Sequence, residues 1–114
     1  MWRFLCPYLR GEVELTAERS RHIQERHPEV GPEPWERIAA VLEEPGEVRR
    51  DAAYPGTRLF TRWFPELLGG KHLVVAVVFL NKPVGRRWIV TAYLSRRPPK
   101  GDLEWTRSSS GTTK

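Results

Sequence analysis

The chain has 114 residues, a formal net charge of +5 and a single cysteine. This length suits one domain with a core of its own, and the lone Cys6 excludes an internal disulfide and a four-cysteine zinc site. We find no apolar stretch of membrane-spanning length and no secretory apolar region at the start of the sequence. The sequence therefore predicts a cytoplasmic protein with no membrane partner.

The charge is distributed unevenly along the chain. Residues 1–48 contain six Lys and Arg but ten Glu, a balance of −4, whereas residues 49–114 contain thirteen Lys and Arg but four Asp and Glu, a balance of +9. A strongly basic half is what binding to a polyanion such as RNA requires. The alternative interpretation is an ordinary solvated surface in a protein that uses arginine freely.

The first half of the chain contains two predicted helices. Thr16 is a suitable N-cap and Pro28 a helix stop, so the first helix lies between them. Its one large apolar residue is Ile23, and the polar side chains that flank this position are His22, Arg26 and His27. Some of these titratable groups must lie where the helix meets the rest of the domain. The second helix, within residues 32–44, has apolar residues at ordinary helical spacing.

The second half contains the predicted strands. Residues 58–64 alternate, and residues 47–53 form a weaker strand. One face of the 58–64 strand carries Arg58, Phe60, Arg62 and Phe64. Residues 71–95 form a central hairpin that begins with a nearly unbroken apolar run, which is typical of a strand covered on both faces. Alternation in its second strand places a set of polar side chains on one face together with Ile89: Arg87, Thr91, Tyr93 and Ser95.

The composition changes after Ser95, where prolines and basic residues become frequent. We expect Trp105 to anchor this segment, so the single domain extends over residues 1–107. Residues 108–114 are rich in Ser, Thr and Gly and are predicted to form a disordered tail.

Three groups of residues have the chemistry to act on a phosphate ester. His22 and His27 have side chains suited to proton transfer near neutral pH, although His27 is equally suited to stabilising the helix C-terminus. Arg58, Arg62, Lys71 and His72 suit phosphate binding beside aromatic rings, or they simply cover the edges of the core with their aliphatic stems. The hydroxyls of Thr91, Tyr93 and Ser95 suit phosphate orientation, or they are ordinary strand-forming residues.

Several motifs that would indicate other chemistry are absent from the sequence. The spacing of the two histidines does not match a zinc-binding HExxH motif, so no metal site is predicted. Walker loops, GxGxxG sequences and nucleophile elbows are also absent, which gives no support to ATP hydrolysis or serine hydrolysis.

Short segments of this sequence resemble a phage-associated family in the group of barnase, EndoU, colicin and RelE-like nucleases. The resemblance is carried by LTAERSRHIQERHPEV at 15–30, LEEPGEV at 42–48, HLVVAVVF at 72–79 and VTAYL at 90–94. These segments occur in the family's order and cover roughly residues 14–96.

The resemblance implies an α+β fold in which N-terminal helices pack on an antiparallel sheet of about four strands. It also implies RNA cleavage without a metal or other cofactor, through attack of a 2′-hydroxyl on the adjacent phosphate. The matching positions expected to be catalytic are His22, His27, Arg62, Thr91 and Tyr93. Those expected to bind the substrate are Arg26, Arg58, Lys71 and Arg87. Of the histidines, His22 is the preferred acid or base, with Glu25 as an alternative base.

The sequence thus predicts a metal-independent endoribonuclease whose substrate is RNA. A toxin–antitoxin system, with an inhibitor protein as a second partner, is the predicted setting. One alternative is a non-catalytic module on the same fold that binds RNA or protein. Another is a structural component in which the acidic and basic halves of neighbouring subunits meet.

Overall fold

The computed structural model describes residues 2–80 and 85–107. Within these residues the chain forms two α-helices, α1 (Ala17–Arg26) and α2 (Trp35–Glu43). The strands of the same ranges are β1 (Trp2–Cys6), β2 (Gly11–Leu15), β3 (Glu47–Asp51), β4 (Thr57–Phe64), β5 (Lys71–Leu80), β6 (Arg86–Ser95) and β7 (Gly101–Thr106). The predicted tail at 108–114 lies outside the described residues, and so do residues 81–84 of the predicted hairpin turn.

All strands of the described residues belong to one sheet, in the order β1-β2-β6-β5-β4-β3-β7. Neighbouring strands are antiparallel except β2 and β6, which run parallel and are in register at Glu14 and Trp88. The prediction of an antiparallel sheet of about four strands under N-terminal helices is therefore wrong: the described residues form a mixed sheet of seven strands with two short helices.

The additional strands come from both ends of the described chain. Residues 2–15 form the β1–β2 hairpin ahead of the first helix, and the second strand of this hairpin aligns with β6. Residues 101–106 pair with β3, although they contain Gly101 and alternate between charged and apolar residues. Neither segment has the continuous apolar pattern of β5, so the strand signals there are weak.

One face of the sheet is covered by α2, and we call it the covered face. The helix buries Ile38, Val41 and Leu42 completely. These residues form one core cluster with sheet residues that include Phe60 and Val75. Burial of large apolar side chains of this kind is the main favourable contribution to folding. The predicted docking of the second helix through its spaced apolar residues is confirmed.

The opposite face carries no helix across residues 2–80 and 85–107, and we call it the open face. Its centre is a smaller cluster in which Leu59, Val74 and Ala76 are buried and Tyr93 packs against them. The apolar run of β5 is thus buried on both sides, by α2 on the covered face and by neighbouring strand residues on the open face.

A β-bulge in β6 changes which of its side chains share a face. The register with β5 shifts beside Val90, and the extra residue inverts the alternation of the strand. Ile89 is consequently buried in the core of the covered face, whereas Thr91 and Tyr93 lie on the open face. The prediction that Arg87 and Ile89 share a face with these hydroxyls is wrong, because simple alternation does not account for the bulge.

Helix α1 lies along the edge of β6 that β2 leaves unpaired. Strand β2 ends at Leu15, and the helix starts two residues later. Arg19 Nη1 donates a hydrogen bond to the backbone oxygen of Val90, 3.1 Å away. A side chain of α1 thereby satisfies a carbonyl group that a neighbouring strand would otherwise bind. This position allows residues at the end of α1 to reach the open face.

Candidate active site

The end of α1 is held in place by local contacts. The predicted N-cap is confirmed, since Thr16 Oγ1 accepts a hydrogen bond from the backbone nitrogen of Arg19 at 3.1 Å. After the helix, Pro28–Val30 form a 3₁₀ turn. Gln24 Nε2 donates to the Gly31 oxygen at 2.9 Å and ties this turn back to the helix. The helix end and the turn therefore form a fixed platform for the side chains they carry.

His27 lies between a carboxylate and a phenol ring on this platform. Its Nδ1 is 3.4 Å from Oε2 of Glu29 in the 3₁₀ turn. Its ring centroid is 5.7 Å from that of Tyr93 on the open face, with the two planes inclined by 39°. A carboxylate at one imidazole nitrogen orients the ring and leaves the other nitrogen for a substrate. The His27 side chain is 32% exposed, so a ligand can reach its ring.

His22 lies in a positively charged environment on the same helix. Partial burial lowers the pKa of His22 below 6.5, and the positive charges of Arg19, Arg26 and His27 lower it further, against a smaller opposite effect of Glu25. Arg19 and Arg26 are three positions before and four positions after His22, so all three share one side of α1. The lowered pKa keeps the imidazole of His22 neutral at physiological pH.

Tyr93 presents a phenol group that keeps its proton. Burial raises the pKa of Tyr93 above 10.0, and the negative charge of Asp51 raises it further. The phenol therefore remains a hydrogen-bond donor across the neutral range. The influence of Asp51 also indicates that this carboxylate lies on the open face near the phenol.

Thr91 lies two residues before Tyr93 on the same face of β6. Its Oγ1 is buried and has no hydrogen-bond partner among the described residues. A buried hydroxyl without a partner is costly and is uncommon in folded proteins. His27 contacts Tyr93, Thr91 shares the strand face of Tyr93, and His22 is linked to the group through the effect of His27 on its pKa. We call these four residues the open-face site.

The predicted phosphate-binding arginines of β4 do not join this site. Arg58, Phe60, Arg62 and Phe64 share a face as predicted, but it is the covered face. Arg62 Nη1 is 3.5 Å from the Ala40 oxygen and 3.8 Å from Glu44 Oε1, at the end of α2. Arg58 Nε donates to Glu104 Oε1 at 2.7 Å. Both guanidinium groups therefore make contacts within the protein on the side of the sheet opposite to Tyr93.

The other predicted phosphate ligands are also separate from the open-face site. Lys71 Nζ donates to the Leu68 oxygen at 2.8 Å, at the start of β5. Arg87 lies on the covered face, where its guanidinium group packs against Gly11 so closely that a Cβ atom at that glycine would be 2.7 Å from Arg87 Nη1. Arg26 is exposed on α1 and acts electrostatically on His22, so of the predicted substrate ligands it is the one near this site.

His72 and Ser95 occupy the end of the open face. They are opposite each other in β5 and β6, and the His72 ring meets the edge of Trp63 with 5.0 Å between centroids. Ser95 Oγ donates to the Arg97 oxygen at 2.6 Å. This hydroxyl therefore stabilises the turn that follows β6.

The sequence interpretation missed three residues near the open-face site: Arg19, Glu29 and Asp51. The HPE sequence placed Glu29 two positions after His27, but only the 3₁₀ turn brings the two side chains together. Arg19 was one of several helix arginines, and its contact with Val90 depends on the position of α1 beside β6. Asp51 ends β3, a strand that the sequence predicts only weakly.

The open face also contains a groove of about 700 Å³. It lies between the turn at 51–56 and the middle of the sheet, and it reaches β6 at the bulge. Its lining consists of Asp51, Tyr54, Pro55, Gly56, Thr57, Ala76, Val78, Val90 and Thr91. Thr91 thus belongs both to this groove and to the open-face site, so the two features adjoin.

Neither metal ligands nor membrane-spanning helices are found in the described ranges. Across residues 2–80 and 85–107, no three His, Cys, Asp or Glu side chains lie together as ligands for a metal ion. Over the same residues, none of the helices combines the length and the apolar character that crossing a bilayer needs.

Comparison with known proteins gives no further assignment. No protein-family model, no curated protein and no solved structure matches this chain. The resemblance to the phage-associated nuclease family therefore stays a prediction, and the interpretation of the open-face site depends on its own chemistry.

Proposed function

We propose that this protein is an endoribonuclease that cleaves RNA without a metal ion, and that the open-face site is its active site. The observation that carries the proposal is the contact of His27 with Tyr93, with the Glu29 carboxylate beside Nδ1 of the same imidazole ring. The site contains an oriented imidazole, a second imidazole and a protonated phenol. These are the groups required when a 2′-hydroxyl attacks a phosphate.

His22 acts as the general base. Its lowered pKa keeps the imidazole neutral at physiological pH, the form that accepts a proton. It removes the proton of the ribose 2′-hydroxyl while the 2′-oxygen attacks the adjacent phosphorus. The new bond from the 2′-oxygen to phosphorus forms a phosphorane with additional negative charge.

His27 in its protonated form acts as the general acid. As the bond from phosphorus to the 5′-oxygen breaks, His27 gives its proton to this leaving oxygen. The products are a 2′,3′-cyclic phosphate and a free 5′-hydroxyl, so every proton and bond is accounted for. Glu29 keeps the ring in its orientation through the step.

Tyr93 and the arginines of α1 stabilise the phosphorane. The Tyr93 phenol donates a hydrogen bond to a non-bridging oxygen, since its raised pKa keeps it protonated. Arg19 and Arg26 provide positive charge on the side of α1 that carries His22. These two residues take the role that the sequence assigned to Arg62 and Lys71.

The test is cleavage of a labelled single-stranded RNA of mixed sequence in the presence of EDTA. We expect products ending in a 2′,3′-cyclic phosphate. His22→Ala and His27→Ala should each reduce the rate by about 100- to 10,000-fold. Arg21→Ala, at an exposed residue of the same helix, is the matched control and should retain the rate. Circular dichroism should establish that all variants fold.

The contrary result is RNA binding without cleavage, unchanged in His22→Ala. That outcome would overturn the enzymatic proposal and favour the second prediction, a non-catalytic binding module. Cleavage that survives in both histidine variants would mean that another site is responsible. A role as a toxin and an inhibitor protein as partner stay predictions.

A further inference from the structure

The groove beside the open-face site has the dimensions and shape of a ligand pocket. Its volume of about 700 Å³ is within the range of roughly 300–1,000 Å³ that small-molecule sites occupy. Thr91 links it to the open-face site, and the charge of Asp51, at the other end of the lining, acts on Tyr93. A nucleotide whose phosphate lies at the open-face site would therefore have its base near this groove.

The walls of the groove suit a flat and largely apolar group. Ala76, Val78 and Val90 provide aliphatic surface from adjacent strands. Tyr54 is 69% exposed in the turn above them, and its ring is available to a ligand. Aliphatic walls with an aromatic ring nearby are favourable for the face of a nucleobase, since stacking does not depend on the identity of the base.

The polar groups of the groove suit the edge of a base. Asp51 Oδ1 accepts hydrogen bonds from the backbone nitrogens of Ala53 and Tyr54, at 2.8 and 3.1 Å. Because both bonds use Oδ1, Oδ2 can accept a hydrogen bond from a ligand. Across the groove, Thr91 forms part of the opposite wall, and its buried hydroxyl has no partner among the described residues.

We propose that this groove holds the base beside the cleaved phosphate and selects bases with an exocyclic amino group. This inference rests on the proposed function. A carboxylate accepts hydrogen bonds and donates none, so it pairs with the amino groups of adenine, cytosine and guanine. Uracil has no amino group, and its one donor on this edge, the N3–H, lies between two carbonyl oxygens that a carboxylate repels.

The test uses oligodeoxynucleotides that contain one ribonucleotide, since each can be cleaved only at that residue. Four substrates differ in the base of the ribonucleotide. We expect the full-length protein to cleave the uridine substrate at least about tenfold more slowly than the fastest of the other three.

Asp51→Asn should abolish that discrimination. The Asn carbonyl can keep both backbone hydrogen bonds of the turn, while its amide group donates where the carboxylate accepted. The matched control is Asp102→Asn, which removes the same charge at an exposed position of β7 on the covered side. It should retain the preference of the unmodified protein.

The outcomes separate the inference from the proposed function. Equal cleavage of all four substrates, or the same preference in Asp51→Asn, would overturn the inference and leave the nuclease proposal intact. If no substrate is cleaved, titration with free nucleosides followed by NMR decides the matter. Shifts of the Tyr54 and Thr91 amides with adenosine, cytidine or guanosine but not uridine would support base selection, and their absence would refute it.

Discussion

The pKa of His22 depends on single charges along its own helix. Partial burial and the neighbouring cations Arg19, Arg26 and His27 all lower it. Glu25, which the sequence offered as an alternative base, is exposed and acts in the opposite direction. The choice of His22 as the base therefore depends on the arrangement of charged groups around the imidazole as well as on its residue type.

Removal of one of these charges should move the pH dependence of cleavage. In Arg26→Gln the imidazolium form of His22 is repelled less, so the pKa of His22 rises towards 6.5. The base is then protonated at a higher pH, and the acidic limb of the kcat/KM profile should shift upwards from its position below 6.5.

Arg21→Gln is the control for this shift. It removes the same charge from the same helix, but Arg21 is not among the groups that perturb the pKa of His22. Its acidic limb should coincide with that of the unmodified protein. Equal shifts in both variants would point to a general effect of net charge and would argue against His22 as the base.

At the level of elements, β7 joins distant parts of the chain through Glu104. Its carboxylate accepts hydrogen bonds from Tyr8 at 2.9 Å, from Arg58 Nε at 2.7 Å and from Arg50 Nη2 at 3.0 Å. Burial opposes ionisation of Glu104, but the hydrogen bonds from Tyr8, Arg58 and Arg50 outweigh it and keep the pKa below 4.5. This carboxylate thus connects β7 with β3, β4 and the turn after β1.

Glu104→Gln should lower the free energy of unfolding by about 2 kcal/mol at neutral pH, because the hydrogen bonds to a charged acceptor are weakened or lost. Urea unfolding measures the change. Glu43→Gln, at an exposed residue of α2, should change it by less than about 0.5 kcal/mol. Equal stability of the Glu104 variant and the unmodified protein would mean that the cluster contributes no net stabilisation.

The same carboxylate gives a pH dependence of stability with a definite sign. Because the pKa of Glu104 is lower in the folded state than in the unfolded chain, its contribution is complete above about pH 4.5. It is lost as the pH falls from that value through the folded-state pKa. In Glu104→Gln the unfolding free energy should decline less steeply over this range.

How far the elements could be predicted depended on their sequence patterns. The apolar run of β5 and the capped helix α1 were predictable because each has a local pattern with a single interpretation. Val90 has no feature that marks a bulge, yet it decides the face on which Arg87 lies. Strand β7 is defined mainly by its pairing with β3, which is a contact between segments about fifty residues apart.

At the level of the whole molecule, the acidic and basic halves of the chain are not separate surfaces. The parallel pairing of β2 with β6 brings Glu14 of the first half within 3.8 Å of Arg86 of the second. Tyr8 and Glu104 make a similar connection between the ends of the described chain. The two halves thus make contacts within one subunit, and a complex in which they meet between subunits stays a prediction.

The candidate site was only partly predictable, because its geometry depends on contacts between segments that are distant in the sequence. The histidines of α1 and the hydroxyls of β6 were identified from residue type and spacing, and the contact of His27 with Tyr93 brings one of each together. The assignment of Arg58 and Arg62 to phosphate binding assumed the same face, but α2 packs against their side of the sheet. Which face a helix covers is decided by the whole chain.

Helix α1 is attached to the sheet by few buried groups, and this has a consequence for the behaviour of the protein on heating. Of the residues of α1, all of which the structure describes, only Ser20 and Ile23 are buried. The sheet, in contrast, has an extensive core. Detachment of α1 would withdraw the imidazole of His27 from Tyr93 while the sheet stays folded, so local opening should precede global unfolding.

We therefore expect thermal inactivation of cleavage several degrees below the melting midpoint measured by circular dichroism. Ile23→Val should widen this gap, whereas Ile38→Val in α2, an equally buried position, should lower both temperatures together. Coincident inactivation and melting in every variant would mean that α1 and the sheet unfold as one cooperative unit. If the gap is found, the working temperature of the protein is set by its least anchored helix, and better packing around Ile23 would extend it.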